Sequence, residues 1–227
     1  MKEMTDIRTD EEQAEALKKW WSDNGKSLVI TVLIAGGGFF GWNSWKENQQ
    51  ATGEAASQVF SQLIEQAAQP SAQQTDAVKE EMEALAQTLK TDYASTTYAQ
   101  FGSLFLARFA ADEGDFAAAE TELKALIAEA EEGPVKYTAQ SRLANVLIQQ
   151  EKYDEALALV ETVPADAYAP QFNEAKGDAL YLKGQLAEAR AAYISAQTAA
   201  QNLGLNTQGL QRKIDNLAAA ASADGDA

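Results

Sequence analysis

LARFAADEGDFAAAETEL (residues 106–123), LANVLIQQEKYDEALALV (143–160) and AKGDALYLKGQLAEARAAY (175–193) are three versions of one pattern: a small residue, a turn, an aromatic or leucine, then alanine. The small residues are Ala107, Ala144 and Gly177, and the alanines after the turn are Ala119, Ala156 and Ala189. Both series step by 37 and then by 33 residues. Self-similarity at such a period marks a supersecondary unit stacked on copies of itself. The chain is rich in Ala, Gln, Glu and Leu and holds only four Pro in 227 residues, so the unit reads as a helical hairpin and the whole chain as all-α. Small residues let the two helices of a hairpin approach closely, and Phe116, Tyr153, Leu186 and Tyr193 are expected to fill the seam.

Between about residues 98 and 199 this pattern resembles a tetratricopeptide repeat array, a solenoid of helical hairpins. The resemblance is strongest from Leu182 to Ala196, where Gly184, Leu186, Ala189, Tyr193 and Ala196 stand at that family's spacings. There are departures. The tryptophan typical of the first helix is missing from every copy, the first unit is longer than the ~34-residue norm, and Pro164 arrives early after the second. Upstream, helical stretches from Gly53 to Ala68 and from Thr75 to Lys90, joined by a turn at Pro70 and Ser71, form a degenerate hairpin across 53–90. Downstream, Leu210, Ile214 and Leu217 predict a helix over 210–221 that caps the last hairpin, leaving 222–227 as a disordered tail.

Ahead of the repeats, SLVITVLIAGGGFFGWNSW (residues 27–45) runs without a charge between Lys26 and Lys46, which is enough for a helix to cross ~30 Å of hydrocarbon. Trp20 and Trp21 precede it, and Trp42 and Trp45 close it. Trp21 and Trp42 lie about 31 Å apart at ~1.5 Å per residue, the separation of two interfacial aromatic belts. The preceding stretch is too long and too acidic for the n-region of a signal peptide, and no small-residue cleavage pattern follows closely, so an uncleaved anchor is expected. Lys18, Lys19 and Lys26 before the span, against Lys46 just after it, place residues 1–26 in the cytoplasm. The region 46–221 is then a periplasmic domain. Gly36, Gly38 and Gly41 mimic a dinucleotide-binding loop, but no strand–helix alternation follows. Gly37 and Gly41 instead form a G-x-x-x-G step at which another membrane helix is expected to approach.

Chemistry is scarce. With no His and no Cys, the commonest general base, the thiolate nucleophiles and nearly all zinc, haem and iron–sulfur ligand sets are absent. No S-x-x-K occurs, and Ser22-Asp23-Asn24 stands without a partner motif. The acidic runs at Glu80, Glu81 and Glu83 and at Glu129, Glu131 and Glu132 lack the spaced oxygens and glycine of a calcium loop and read as solvated helix faces. The expectation is a protein without enzymatic activity or cofactor. A net charge of −16 argues against nucleic acid as a partner.

Stacked hairpins present their first helices as a binding surface. The repeat family's groove positions fall here on Phe101, Arg108, Asn145, Gln149, Asp178 and Tyr181, a mixed polar and aromatic set that lacks a Lys/Arg clamp for terminal carboxylates. The N-terminal stretch EEQAEALKKWW, followed by Asn24-Gly25-Lys26 and by an apolar span ending Gly41-Trp42-Asn43-Ser44-Trp45, is similar to the YfgM family of ancillary SecYEG translocon subunits. The resemblance covers anchor and repeats together. It implies a single-pass inner-membrane protein, with an association with SecYEG and with a membrane-anchored periplasmic chaperone of the PpiD type. Emerging unfolded secreted chains would be passed toward folding factors. The competing expectation is a tetratricopeptide scaffold of envelope assembly or cell division. Relatives of that kind in outer-membrane assembly carry a lipidated cysteine, and this chain has none.

Overall fold

A computed structural model describes residues 10–70 and 75–223, with side chains through residue 217. Ser71 of the expected first turn and most of the expected tail lie outside these residues. The described residues form nine α-helices and no strand: α1 (Asp10–Ala67), α2 (Asp76–Asp92), α3 (Thr97–Asp112), α4 (Phe116–Glu129), α5 (Pro134–Gln149), α6 (Tyr153–Leu159), α7 (Ala169–Leu182), α8 (Leu186–Asn202) and α9 (Gln208–Ala223). A short 3₁₀ turn, Asp166–Tyr168, precedes α7.

Two compact units divide the chain at Glu54 and Ala55. The first is helical from Asp10, and its apolar side chains face outward: Leu33, Ile34, Phe39, Phe40 and Trp42 are each about two-thirds or more exposed. A helix exposing this much apolar surface has no core to join and suits a hydrocarbon solvent. It is the one helix among the described residues long and apolar enough to cross a membrane. Its polar side chains are satisfied locally. The Thr31 hydroxyl donates to Ser27 O at 2.9 Å, and Asn24 Nδ2 donates to Trp20 O at 3.1 Å. The helix does not stop after the span, whereas the sequence reading began a separate stretch at Gly53. Lys46–Thr52 contains no proline or glycine, and bonds such as Asn43 to Glu47 (2.6 Å) and Gln50 to Glu54 (3.0 Å) brace the turns.

In the second unit residues 55–67 of α1 share one core with α2 and α3, and hairpins of α3 with α4, α5 with α6, and α7 with α8 are stacked, with α9 following. Ala107, Ala144, Ala119, Ala156 and Ala189 are at most 2% exposed, and Gly177 is buried. The two series seen in the sequence are therefore the contact points of the seams. Gly177 is needed for clearance, because a Cβ there would lie 2.4 Å from two Tyr193 ring carbons. Gly102 brings α3 equally close to α2, where a Cβ would meet Ala86 O at 2.6 Å.

Four connections share one geometry. Gly114, Glu151, Gly184 and Gly204 have φ of 83°, 60°, 78° and 68°. After each, the next amide returns five residues: Asp115 to Ala110 O, Lys152 to Leu147 O, Gln185 to Leu180 O and Leu205 to Ala200 O, at 2.8–2.9 Å. This left-handed cap ends the helix and satisfies its last carbonyls. After the first three the next helix begins two residues on, and ahead of α4 Asp115 accepts from Ala118 N at 2.9 Å. Helix α6 is only seven residues long, cut short ahead of Pro164.

Candidate functional site

Of the six expected groove residues, Phe101 and Arg108 sit on α3, Asn145 and Gln149 on α5, and Asp178 and Tyr181 on α7. Arg108, Asn145 and Asp178 occupy one repeat position, separated by the same 37 and 33 residues as the seam alanines.

Phe101 and Arg108 meet in a hollow of about 350 Å³. Phe60 and Ile64 of α1 and Leu104 and Phe105 of α3 form its apolar wall, and Arg142 of α5 lines it as well. The phenyl rings of Phe60 and Phe101 stack at 5.2 Å with 30° between planes, and Tyr98 adds a ring 5.4 Å from Phe60. Such offset aromatic pairs hold a wall in a fixed shape. A second hollow of about 370 Å³ lies among α3, α4 and α5, lined by Ala107, Ala111, Asp112, Leu123, Asn145 and Val146. Arg108 and Arg142 line both.

The two arginines differ in how they are held. Arg142 Nη1 donates to Leu104 O at 3.0 Å, and among the described residues no carboxylate lies within 4 Å of it. Desolvation, and then the positive charge of Arg108, lower its pKa. Arg108 pairs with Asp112 at 3.4 Å, one turn along α3, with both side chains more than half exposed. An exposed pair of this kind holds its members weakly. A cationic pair beside an apolar wall was not legible in the sequence. Arg142 takes in α5 the position that Phe105 takes in α3, and a lone arginine in an amphipathic helix reads as solvated surface.

Asp178 is already engaged. Its Oδ1 accepts from the Tyr193 hydroxyl at 2.7 Å and from Lys213 Nζ at 2.6 Å, and Lys213 also reaches Glu174 at 2.9 Å. The Lys213 ammonium stands 5.3 Å from the Tyr193 ring centroid. Burial, and then the bond to Asp178, push the Tyr193 phenol pKa up. At Lys213 burial pulls the pKa down, but Asp178 and Glu174 outweigh it and the net direction is up. This cluster ties α7, α8 and α9 together. Tyr181 is half exposed, and neither it nor Gln149 lines the two hollows. Gly37 and Gly41 have open space where a Cβ would stand, and the four tryptophans are each about half exposed or more on α1. Among the described residues no cluster of carboxylates is arranged to hold a metal ion.

A family model described as a tetratricopeptide repeat-like domain matches residues 18–219, taking in the apolar helix as well as the hairpins. A protein of Aggregatibacter actinomycetemcomitans named ancillary SecYEG translocon subunit is 31% identical over 210 residues, which is 92% of this chain and 97% of the relative. The chain belongs to the YfgM family. Two further YfgM relatives bearing the same name, from Haemophilus influenzae and Escherichia coli K12, are 28% and 26% identical over 92% of this chain, covering 97% and 96% of their own lengths. The repeat-like fold, the long apolar helix and the acidic hairpin domain are thus features of one YfgM chain.

Proposed function

We propose that this chain is a non-enzymatic, membrane-anchored interaction subunit of the Sec translocon, with its N-terminus in the cytoplasm and its hairpin domain in the periplasm. The observation that carries the reading is coverage: relatives named for SecYEG match 92% of the chain, a length that must include both the apolar helix and the hairpins. The helix holds the domain beside the exit of the channel and raises its effective concentration for emerging segments to about the millimolar range. The domain contributes the two hollows and passes unfolded secreted chains to a membrane-anchored chaperone of the PpiD type. Its negative charge repels anionic lipid, keeping the hairpins off the bilayer surface.

The test is a mild-detergent pull-down with in-membrane crosslinking, comparing the full chain with a form lacking residues 1–45. SecYEG and a periplasmic chaperone are expected with the full chain, and loss of SecYEG alone from the shorter form assigns that contact to the span. Recovery of only division or outer-membrane assembly components refutes the translocon reading. Orientation is read separately, because the chain has no cysteine of its own. A membrane-impermeant maleimide reaching Ser95→Cys but not Ser22→Cys from the periplasmic side is the expected result, and the reverse pattern overturns it.

A further inference from the structure

Two hollows of similar size share their arginines. Arg108 and Arg142 stand at the junction, with Phe60, Ile64, Phe101 and Phe105 on one side and Ala107, Ala111, Leu123 and Val146 on the other. In a chain of net charge −16, two guanidiniums line the same two hollows: Arg142 has no carboxylate within 4 Å among the described residues, and Arg108 has only the weak, exposed pair with Asp112, which also lines the second hollow, so the junction carries a local positive charge in an acidic domain. Like charges repel, so the arrangement favours an anion that both can share. Guanidinium forks match a carboxylate through paired, charge-assisted bonds. Apolar walls on both sides specify what flanks that anion. A chain-terminal carboxylate would fill one hollow and leave the other empty, whereas an internal acidic side chain places apolar neighbours in each.

We infer that the α1–α3–α5 face binds an internal polypeptide segment of apolar–acidic–apolar pattern, its Asp or Glu carboxylate shared by Arg108 and Arg142 and its flanking apolar side chains seated in the two hollows. This rests on the interaction-subunit reading and names the chemistry of the segment taken. The site selects against the chain's own overall charge. A basic segment is drawn to the acidic surface at large, whereas an acidic one is held where the arginines stand beside the hollows.

The probes are three amidated, N-acetylated, rhodamine-labelled peptides, SGFLELFGS, SGFLQLFGS and SGFLKLFGS, titrated by anisotropy into the full chain in phosphatidylcholine nanodiscs. SGFLELFGS is expected to bind about 10-fold or more tighter than SGFLQLFGS, the loss typical of a charge-assisted hydrogen-bond pair, and to weaken with added salt. Arg108→Gln removes that preference and makes the Glu and Gln peptides equal. Because Arg108 makes only an exposed pair on its own helix, this variant keeps the helical circular dichroism of the parent. Arg142→Gln acts in the same direction and additionally frees Leu104 O. Ile64→Asp, on the exposed rim of the first hollow, weakens SGFLELFGS by at least 10-fold.

Equal binding of the three peptides, preference for the Lys peptide, no binding at millimolar peptide, or an equal loss for the Glu and Gln peptides in Arg108→Gln each overturns the proposal. A change in copies per particle caused by Ile64→Asp makes the face an interface between copies and overturns it as well. The same variants go through the translocon pull-down. Intact SecYEG recovery with failed peptide selectivity removes this inference alone, and selectivity without SecYEG recovery removes only the translocon assignment.

Discussion

Gly177→Ala adds a single methyl group and should be among the costliest conservative changes in the domain. A Cβ at this position lies 2.4 Å from Cδ1 and Cε1 of Tyr193 and 3.1 Å from its Cγ, so the ring must withdraw by roughly 1 Å to reach ordinary contact. It has little room to do so. Tyr193 is 3% exposed, and its hydroxyl is fixed to Asp178 at 2.7 Å. Overpacking of this kind costs about 1–3 kcal/mol, and weakening a bond to a charged acceptor costs about 1 kcal/mol more. Alanine returns about 1 kcal/mol of helix propensity over glycine. The net is a loss of about 1–3 kcal/mol, or about 2–12 °C in Tm for a domain of this size. Thermal and urea unfolding of the full chain followed by circular dichroism gives the number, and a double-mutant cycle isolates the cause. In a Tyr193→Ala background the clash is gone, so Gly177→Ala should stabilise by up to about 1 kcal/mol. The sign reverses between backgrounds. The same loss in both would refute the close-approach account of this seam.

Glu151 stands at φ 60° in the turn position that Gly114 and Gly184 take in the neighbouring hairpins, so Glu151→Gly should raise stability by about 0.5–1 kcal/mol in urea unfolding; a loss of stability would show that the side chain has a role the turn geometry does not explain. Glu120 is held down to about 2 from 4.5, first by its bond to Lys124 and then by Lys152 and Gln150. A depressed carboxylate stabilises the fold above its unfolded value and loses that contribution as pH falls toward its folded value. Glu120→Gln should therefore be less stable than the parent at pH 7, with the gap closing from about pH 4.5 to about 2; a gap constant with pH excludes this account. Replacing both Gly37 and Gly41 by Leu fills open space on the span without touching the hairpins, and should reduce co-purification of a membrane partner while leaving the unfolding curve unchanged.

The hairpins were legible because close packing leaves a trace in composition. Only small residues fit where helices touch, so Ala107, Ala144 and Gly177 repeat where bulkier surface residues drift. Turn glycines at 114 and 184 carried the same information, while Glu151 hid the equivalent turn, since its φ is imposed by the surrounding fold and not by its own preference. The unbroken run of α1 from Asp10 to Ala67 was not legible, because an apolar span and a polar stretch look like separate elements although nothing between them stops a helix. The arginine pair and the capture of Asp178 escaped for a shared reason. Each depends on a partner from another helix, Arg142 at 38 residues from Leu104 and Lys213 at 35 from Asp178, and the pattern within one helix carries no sign of it.

The tie between Lys213 and the Glu174–Asp178 pair bears on how such a chain can change length. Helix α9 recognises a carboxylate one hairpin upstream, and the residues at the equivalent position in earlier hairpins are Arg108 and Asn145. A lineage that lost α7 and α8 would bring Lys213 against Asn145, and one that lost a further hairpin would oppose it to Arg108. Only the last hairpin fits the terminator. Duplication or deletion of repeats is thus tolerated ahead of α7 and penalised after it, so a single charge pattern fixes which hairpin is allowed to be the final one.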